Sequence, residues 1–277
     1  MPGFRIWLIL GCLVTGLTQA ATERLTIPGI QGDDDRELVK KTGYPWGAIG
    51  RLNNTLGPFC TGTLIGPRRV LTAAHCLWNR NTGAWIPPCA LHFVAGYQGG
   101  NYLAHSLVTS YELAGGQEAK RKGRLARARD WAVLTLAKDL GDKITPLPTL
   151  PLDASLVDGY RQHGVFTQAG YSRDRPHMLT KNSHCEIVGF RHADHIAMHE
   201  CDATFGDSGS PLLLEREGRY HIAAMLVAIS RKSGKGIAVT GKAFHQRVQQ
   251  MDTPAPADRP FRACQMPGSS KGVRPLT

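Results

Sequence analysis

Twelve short segments of strand length, punctuated by Gly, Pro and Asn, leave this chain little choice but a β sandwich or β barrels. The segments are 46–52, 59–65, 69–72, 91–95, 106–111, 131–136, 164–171, 184–190, 195–200, 211–214, 220–229 and 236–239. One helical pattern stands apart, at 242–251, where Phe244, Val248 and Met251 share a face. Beyond it Pro254, Pro256, Pro260 and Pro267 mark an irregular tail, and no internal repeat is visible. At 277 residues the chain can bury a sizeable core. Charged residues make up 20% and glycines number 31, which suits a loop-rich β protein better than a helical bundle.

The first 20 residues have the form of an export signal. Arg5 supplies the positive start, 6–17 is apolar but too short to span a bilayer, and Thr18 and Ala20 are the small residues expected before a cut ahead of Ala21. A lipid-modified reading through Gly11-Cys12 is disfavoured by the very short apolar run ahead of Cys12. No later stretch reads as a membrane helix, so a secreted or periplasmic monomer is expected. Setting aside Cys12 of the seven cysteines leaves six, namely Cys60, Cys76, Cys89, Cys185, Cys201 and Cys264. In an exported protein these are disulfide formers. Six cysteines allow about 15 pairings, and the sequence does not choose among them. None has the Cys-x-x-Cys spacing of a zinc site, so no metal and no cofactor is expected.

The net charge is +11. Its densest run spans 120–129, Lys-Arg-Lys-Gly-Arg-Leu-Ala-Arg-Ala-Arg. A solvated basic surface is the simplest account of it, with attraction to anionic surfaces or acidic substrates as the functional alternative. Without interleaved aromatics it does not read as a nucleic-acid site. His192, His195, His199 and Glu200 form a second cluster, but their spacing matches no ligand motif and points to a structural or surface role.

Three short contexts carry the chemistry. They are Leu71-Thr72-Ala73-Ala74-His75-Cys76, Asp130-Trp131-Ala132-Val133-Leu134 and Gly206-Asp207-Ser208-Gly209-Ser210-Pro211. A serine hydroxyl is a poor nucleophile until an imidazole accepts its proton. The imidazole in turn needs a carboxylate to fix its tautomer and stabilise its charged form. The order His, Asp, Ser is the chymotrypsin order, not that of subtilisin or the α/β-hydrolases.

On these residues the chain resembles the chymotrypsin/trypsin-like serine proteases. It is most similar to the secreted bacterial branch that includes glutamyl endopeptidase-like enzymes. The likeness rests on Ser208-Gly209-Ser210-Pro211, where animal trypsins usually have Ser-Gly-Gly-Pro. It rests also on Tyr44-Pro45-Trp46-Gly47-Ala48-Ile49-Gly50-Arg51 and Phe59-Cys60-Thr61-Gly62-Thr63-Leu64-Ile65. It runs from about Asp33 to about Met251.

The resemblance implies an all-β fold of two packed six-stranded antiparallel barrels with a short C-terminal helix. The catalytic unit would span 21–253 and an irregular tail 254–277. It implies a peptide-bond hydrolase acting on proteins or peptides. Ser208 would be nucleophile, His75 general base and Asp130 its orienting acid, with the N–H groups of Gly206 and Ser208 as the oxyanion hole. It also implies a Cys60–Cys76 bridge. Cys185–Cys201 would close a loop before the nucleophile, leaving Cys89 for Cys264. Two other functions are compatible with these residues: a catalytically silent basic binding protein on the same fold, and an esterase-like hydrolase.

Asp207 has two possible roles under the resemblance, pairing with a newly cut amino terminus or making an internal hydrogen bond. Asp202 stands where trypsins carry the acid that selects Lys or Arg. The local pattern departs from theirs, with Thr204 where they have a cysteine. The histidine that glutamyl specificity would lean on has no counterpart in 224–228. Asp202, Thr204, Phe205 and Leu226 are the expected pocket residues.

Overall fold

The computed structural model describes residues 27–116, 126–159 and 165–251. The expected export signal, most of the basic run, Cys264 and the tail after 251 lie outside the described residues. Sixteen strands are described. The first half holds β1 (Glu37–Leu38), β2 (Ile49–Asn54), β3 (Cys60–Gly66), β4 (Arg69–Thr72), β5 (Trp78–Asn79), β6 (Ala84–Trp85), β7 (Leu91–Ala95), β8 (Ala104–Leu113) and β9 (Ala132–Leu136). The second holds β10 (Phe166–Gly170), β11 (Thr180–Cys185), β12 (Ile187–Arg191), β13 (Ile196–His199), β14 (Pro211–Arg216), β15 (Arg219–Ile229) and β16 (Gly236–Thr240). Helix α1 (Ala154–Asp158) lies between the halves and α2 (Gly241–Gln250) follows β16.

Strands β2-β3-β4-β9-β8-β7 close into a barrel whose pairs are all antiparallel. Closure leaves no unpaired edge. Leu52, Leu64, Val70, Phe93 and Leu134 share the inner face and fill it, each at most 1% exposed. The second half is an eight-stranded antiparallel sheet ordered β1-β11-β10-β14-β15-β16-β13-β12. It therefore carries two strands beyond the six expected, and its ladder runs from edge to edge. One addition is the two-residue β1, which pairs Leu38 with Thr180 and ties the N-terminal segment to β11. The segment expected as one strand at 184–190 is the other. His184, near the end of β11, has a left-handed φ of 60°, and the chain divides at Glu186 into β11 and β12. Most of β11 had no strand signature, because Lys181, Asn182 and Ser183 are polar on both faces.

Two other differences are local. Residues 46–48 form a 3₁₀ turn ahead of β2, with Ala48 N–H bonded to Pro45 O at 3.1 Å. α1 is too short to show a period; it is started by Asp153, whose Oδ1 accepts Leu156 N–H at 3.0 Å. The C-terminal helix matters for the site. Its Phe244 is fully buried and meets Trp131 edge-on, ring centres 6.1 Å apart. Trp131 follows Asp130, so the last helix of the second half braces an acid at the mouth of the first. No described helix is long and apolar enough to cross a membrane.

Candidate active site

His75 sits on a 3₁₀ turn, Ala74–Leu77, directly after β4. Ala73 and Ala74 are fully buried, which seats the turn against the barrel end. Asp130 lies at the end of another 3₁₀ turn, Arg127–Arg129, just before β9. β4 and β9 are neighbours, with Thr72 opposite Ala132, so the two turns emerge side by side. The carboxylate grips the histidine twice. Oδ1 accepts His75 N–H at 2.8 Å, and Oδ2 lies 2.8 Å from His75 Nδ1. The backbone bond fixes the position of the residue and the ring bond fixes its tautomer, leaving Nε2 as the proton acceptor.

Ser208 comes from the second half and is fastened to the first. Thr61 N–H donates to Ser208 O at 2.9 Å. Cys76 Sγ is 3.8 Å from the same oxygen. Cys60, before Thr61, is joined by a disulfide to Cys76, after His75, with Cα atoms 6.2 Å apart. The bridge and Thr61 together draw the Ser208 and His75 backbones to one point.

The N–H groups of Gly206 and Ser208 are aimed by their neighbours' carbonyls. In a trans peptide the C=O and the next N–H point in opposite directions. Phe205 O is held by Arg173 N–H at 2.6 Å, which turns Gly206 N–H the other way. Asp207 O is held by Ser210 N–H at 2.8 Å, which does the same for Ser208 N–H. Gly206 O is taken by the Thr61 hydroxyl at 3.2 Å. Among the described residues neither the Gly206 nor the Ser208 N–H is spent on an internal acceptor. Gly206 has φ +101°, and a Cβ there would stand 2.5 Å from Tyr171 O. Gly209 has φ +89°, and a Cβ would stand 2.0 Å from Thr61 O. Only glycine satisfies both conditions at these positions.

Thr61 carries no catalytic signature in the sequence, yet it organises this loop. Its N–H and hydroxyl bind the carbonyls of Ser208 and Gly206, its Oγ1 accepts Tyr171 N–H at 3.0 Å, and its own carbonyl accepts the Thr72 hydroxyl at 2.8 Å.

Asp207 makes internal hydrogen bonds. Ser172 Oγ donates to Oδ2 at 2.6 Å and Thr204 N–H to the same oxygen at 2.8 Å. Burial pushes its pKa up to about 6 against these bonds. Asp202 is buried too, and its two oxygens accept Gln31 N–H at 2.8 Å and Asp35 N–H at 2.9 Å. Its carboxylate is thus engaged by the N-terminal segment. The same segment is clamped by Arg36, whose guanidinium bridges Asp34 and Asp174 at 2.9 and 2.6 Å. Those bonds hold the Asp34 carboxyl below its ordinary range; at Asp174 they outweigh the upward push of burial. Thr204 is buried, Phe205 is 59% exposed at the rim, and Leu226 is buried with its N–H on Ser210 O at 2.9 Å.

Cys185 is bonded to Cys201. Cys89 is disulfide-bonded as well, while Cys264 lies outside the described residues. The histidine cluster does not converge: Glu200 pairs with Lys235 at 2.5 Å, while His199 points into the core. One set of ligand-type atoms falls within 4.8 Å among the described residues, His75 with Cys60 and Cys76, and those sulfurs are tied up in the disulfide.

Comparison with known proteins agrees with this geometry. Residues 36–253 match the family model described as Trypsin. The chain is 26% identical over 203 residues to a glutamyl endopeptidase of Bacillus licheniformis, covering 70% of this chain and 57% of that relative's length. A solved structure of a Glu endopeptidase in complex with MPD superposes with a TM-score of 0.64 at 19% identity, covering 80% of this chain and 98% of the other. The likeness to that structure is one of fold: a strand-built, chymotrypsin-like pair of halves with few helices and a short helix at the end.

Proposed function

The chain belongs to the trypsin family, and from that premise we propose that it is an exported serine endopeptidase working through Ser208, His75 and Asp130. The observation that carries the reading is the double grip of Asp130 on His75, set beside a Ser208 loop with two unspent N–H groups. Ser208 Oγ attacks the carbonyl carbon of a peptide bond while His75 Nε2 takes its proton. Asp130 keeps that proton acceptor in the right tautomer and stabilises the imidazolium. The carbonyl oxygen, now negative, is met by Gly206 and Ser208 N–H, each donor worth roughly 3 kcal/mol of barrier. His75 then gives its proton to the departing amine, and an acyl-enzyme remains on Ser208. Water, deprotonated by His75, releases the acid and restores the serine.

The internal bonds of Asp207 and Asp202 bear on activation and specificity. A loop whose aspartate is already satisfied by Ser172 and Thr204 is assembled without a new amino terminus. A carboxylate held by Gln31 and Asp35 is not free to select Lys or Arg. The family's disulfide chemistry and the leader-like first 20 residues support an oxidising destination, secreted or periplasmic.

The test is cleavage-site profiling. Mature protein and its Ser208→Ala variant are incubated with denatured proteins, and new termini are read by mass spectrometry. Cuts made by the wild type alone, without enrichment of Lys or Arg before the bond, are the expected result. Equal cutting by the variant would remove Ser208 from the mechanism.

A further inference from the structure

Two arginines at the rim of this site have no acidic partner among the described residues. Three other arginines have one: Arg36 has Asp34 and Asp174, Arg175 has Asp34, and Arg247 has Glu112. Arg51, on β2, lies over the Phe59 ring at 4.0 Å and 5.6 Å from the Tyr97 ring. One of its nitrogens, Nη1, donates to Pro176 O at 3.0 Å, while its Nε is buried with no acceptor. Arg173 is exposed and lies 5.6 Å from the Phe205 ring. Asp34 and Asp174 are engaged by Arg36, and Asp207 by Ser172 and Thr204.

An incompletely bonded, part-buried guanidinium is costly to fold around, and stacking on an aromatic face offsets only part of that cost. A carboxylate arriving from outside would offset the rest, and the guanidinium fork suits carboxylate geometry.

The position of the pair says where such a carboxylate would sit. Both aromatic rings border Gly206. Phe205 precedes it, and a Cβ on Gly206 would stand 2.9 Å from Phe59 Cε2 and 2.9 Å from Arg173 N. Phe59 also precedes Cys60, which is bridged to Cys76 beside His75. The departing amine takes its proton from His75, so it leaves on this side of Ser208. The acyl half lies on the other side, towards Leu226, whose carbonyl accepts Gly209 N–H at 2.8 Å.

We propose that Arg51 and Arg173 are specificity-determining residues that draw an acidic side chain onto the leaving-group side of the scissile bond. The proposal rests on the protease reading above and deepens it. Asp or Glu at the first or second position after the cut would meet the two guanidiniums, while its neutral amide counterpart would not.

The experiment uses matched peptides built on one cleavage site found by profiling. They differ only by Glu or Gln at the first or the second position after the bond. The readout is the Glu-to-Gln ratio of kcat/KM, which a general loss of structure or activity leaves unmoved. For wild type the ratio should be roughly fivefold at one of these positions, the scale of a solvent-accessible ion pair. It should fall towards one in Arg173→Gln, fall further when Arg51→Gln is added, and shrink in 1 M salt. Arg173 is exposed, so its single variant keeps the test interpretable if the double variant folds poorly. A wild-type ratio of one at both positions, or a ratio unchanged in both variants, would overturn the proposal while leaving hydrolysis intact. An acid preference found only before the bond would overturn it too. Failure to cut any peptide would overturn the protease reading and this proposal with it.

Discussion

His199 should make the fold acid-labile by a definable amount. It is wholly buried on β13, and neither ring nitrogen has a partner among the described residues. Its ring lies against Gly236 of the paired strand β16, where a Cβ would stand 2.1 Å from Cε1. Burial drives its pKa from an ordinary 6.5 down to about 3. The folded protein therefore holds the ring neutral, whereas the unfolded chain takes up a proton below about pH 6.5. The contribution is fully present above pH 6.5 and is lost as pH falls from there towards 3. At pH 4.5 the unfolded state gains a protonation advantage of about 100-fold, which is about 3 kcal/mol. For a protein of this size that is roughly 6–12 °C of melting temperature.

The assay is thermal and urea unfolding of His199→Leu and its parent at pH 8 and pH 4.5. Both would carry Ser208→Ala to prevent self-digestion. Leu is close to His in volume, so the packing change should be modest. Any packing change that remains acts alike at both pH values. Other groups titrate in this range. Asp207, pushed up to about 6, works in the opposite direction, while Asp34 and Asp174, held low by Arg36, lose their contribution only at more acid pH. They are common to both proteins and cancel in the difference. The parent should lose about 3 kcal/mol more than the variant between the two pH values. Equal losses would refute the reasoning, because they would mean that a protonated His199 is accommodated in the folded core.

Thr61→Val keeps the shape of the side chain but removes the hydroxyl that holds Gly206 O and accepts Tyr171 N–H. We expect kcat to fall roughly tenfold with KM little changed, the cost of loosening a preset donor. Steady-state kinetics showing less than a twofold fall would contradict the role given to Thr61. Asp202→Asn removes the charge and one acceptor from the pair that binds Gln31 and Asp35 N–H. It should lower stability by about 1–3 kcal/mol while the residue profile before the cut stays as in wild type. A profile that shifts away from Lys and Arg would instead restore Asp202 to the pocket.

Much of the architecture was legible because β patterning is local. The limits of β4 and β7 coincide with the segments read from the sequence, and α2 with its Phe244 and Val248 face is close to its expected span. What was missed was short or polar. β1 and the β5–β6 hairpin have two residues per strand, too few to show alternation, and β11 is polar on both faces. Such strands exist because a neighbour offers backbone partners, and single-chain patterning carries no record of that.

The site divides in the same way. The sequence by itself determined which residues could do acyl-transfer chemistry, since His75, Asp130 and Ser208 each stand in a distinctive local context and the glycines at 206 and 209 announce a strained turn. Tertiary structure decided what each neighbouring acid does. Asp202 and Asp207 lie five residues apart on one loop, yet one is bound by the N-terminal segment and the other by Ser172. It also decided that Thr61, 147 positions away from Ser208 in the chain, would hold the serine's carbonyl. Hydrogen-bond partners are chosen by proximity in space, and only closure of the first barrel against the second half brings these groups together.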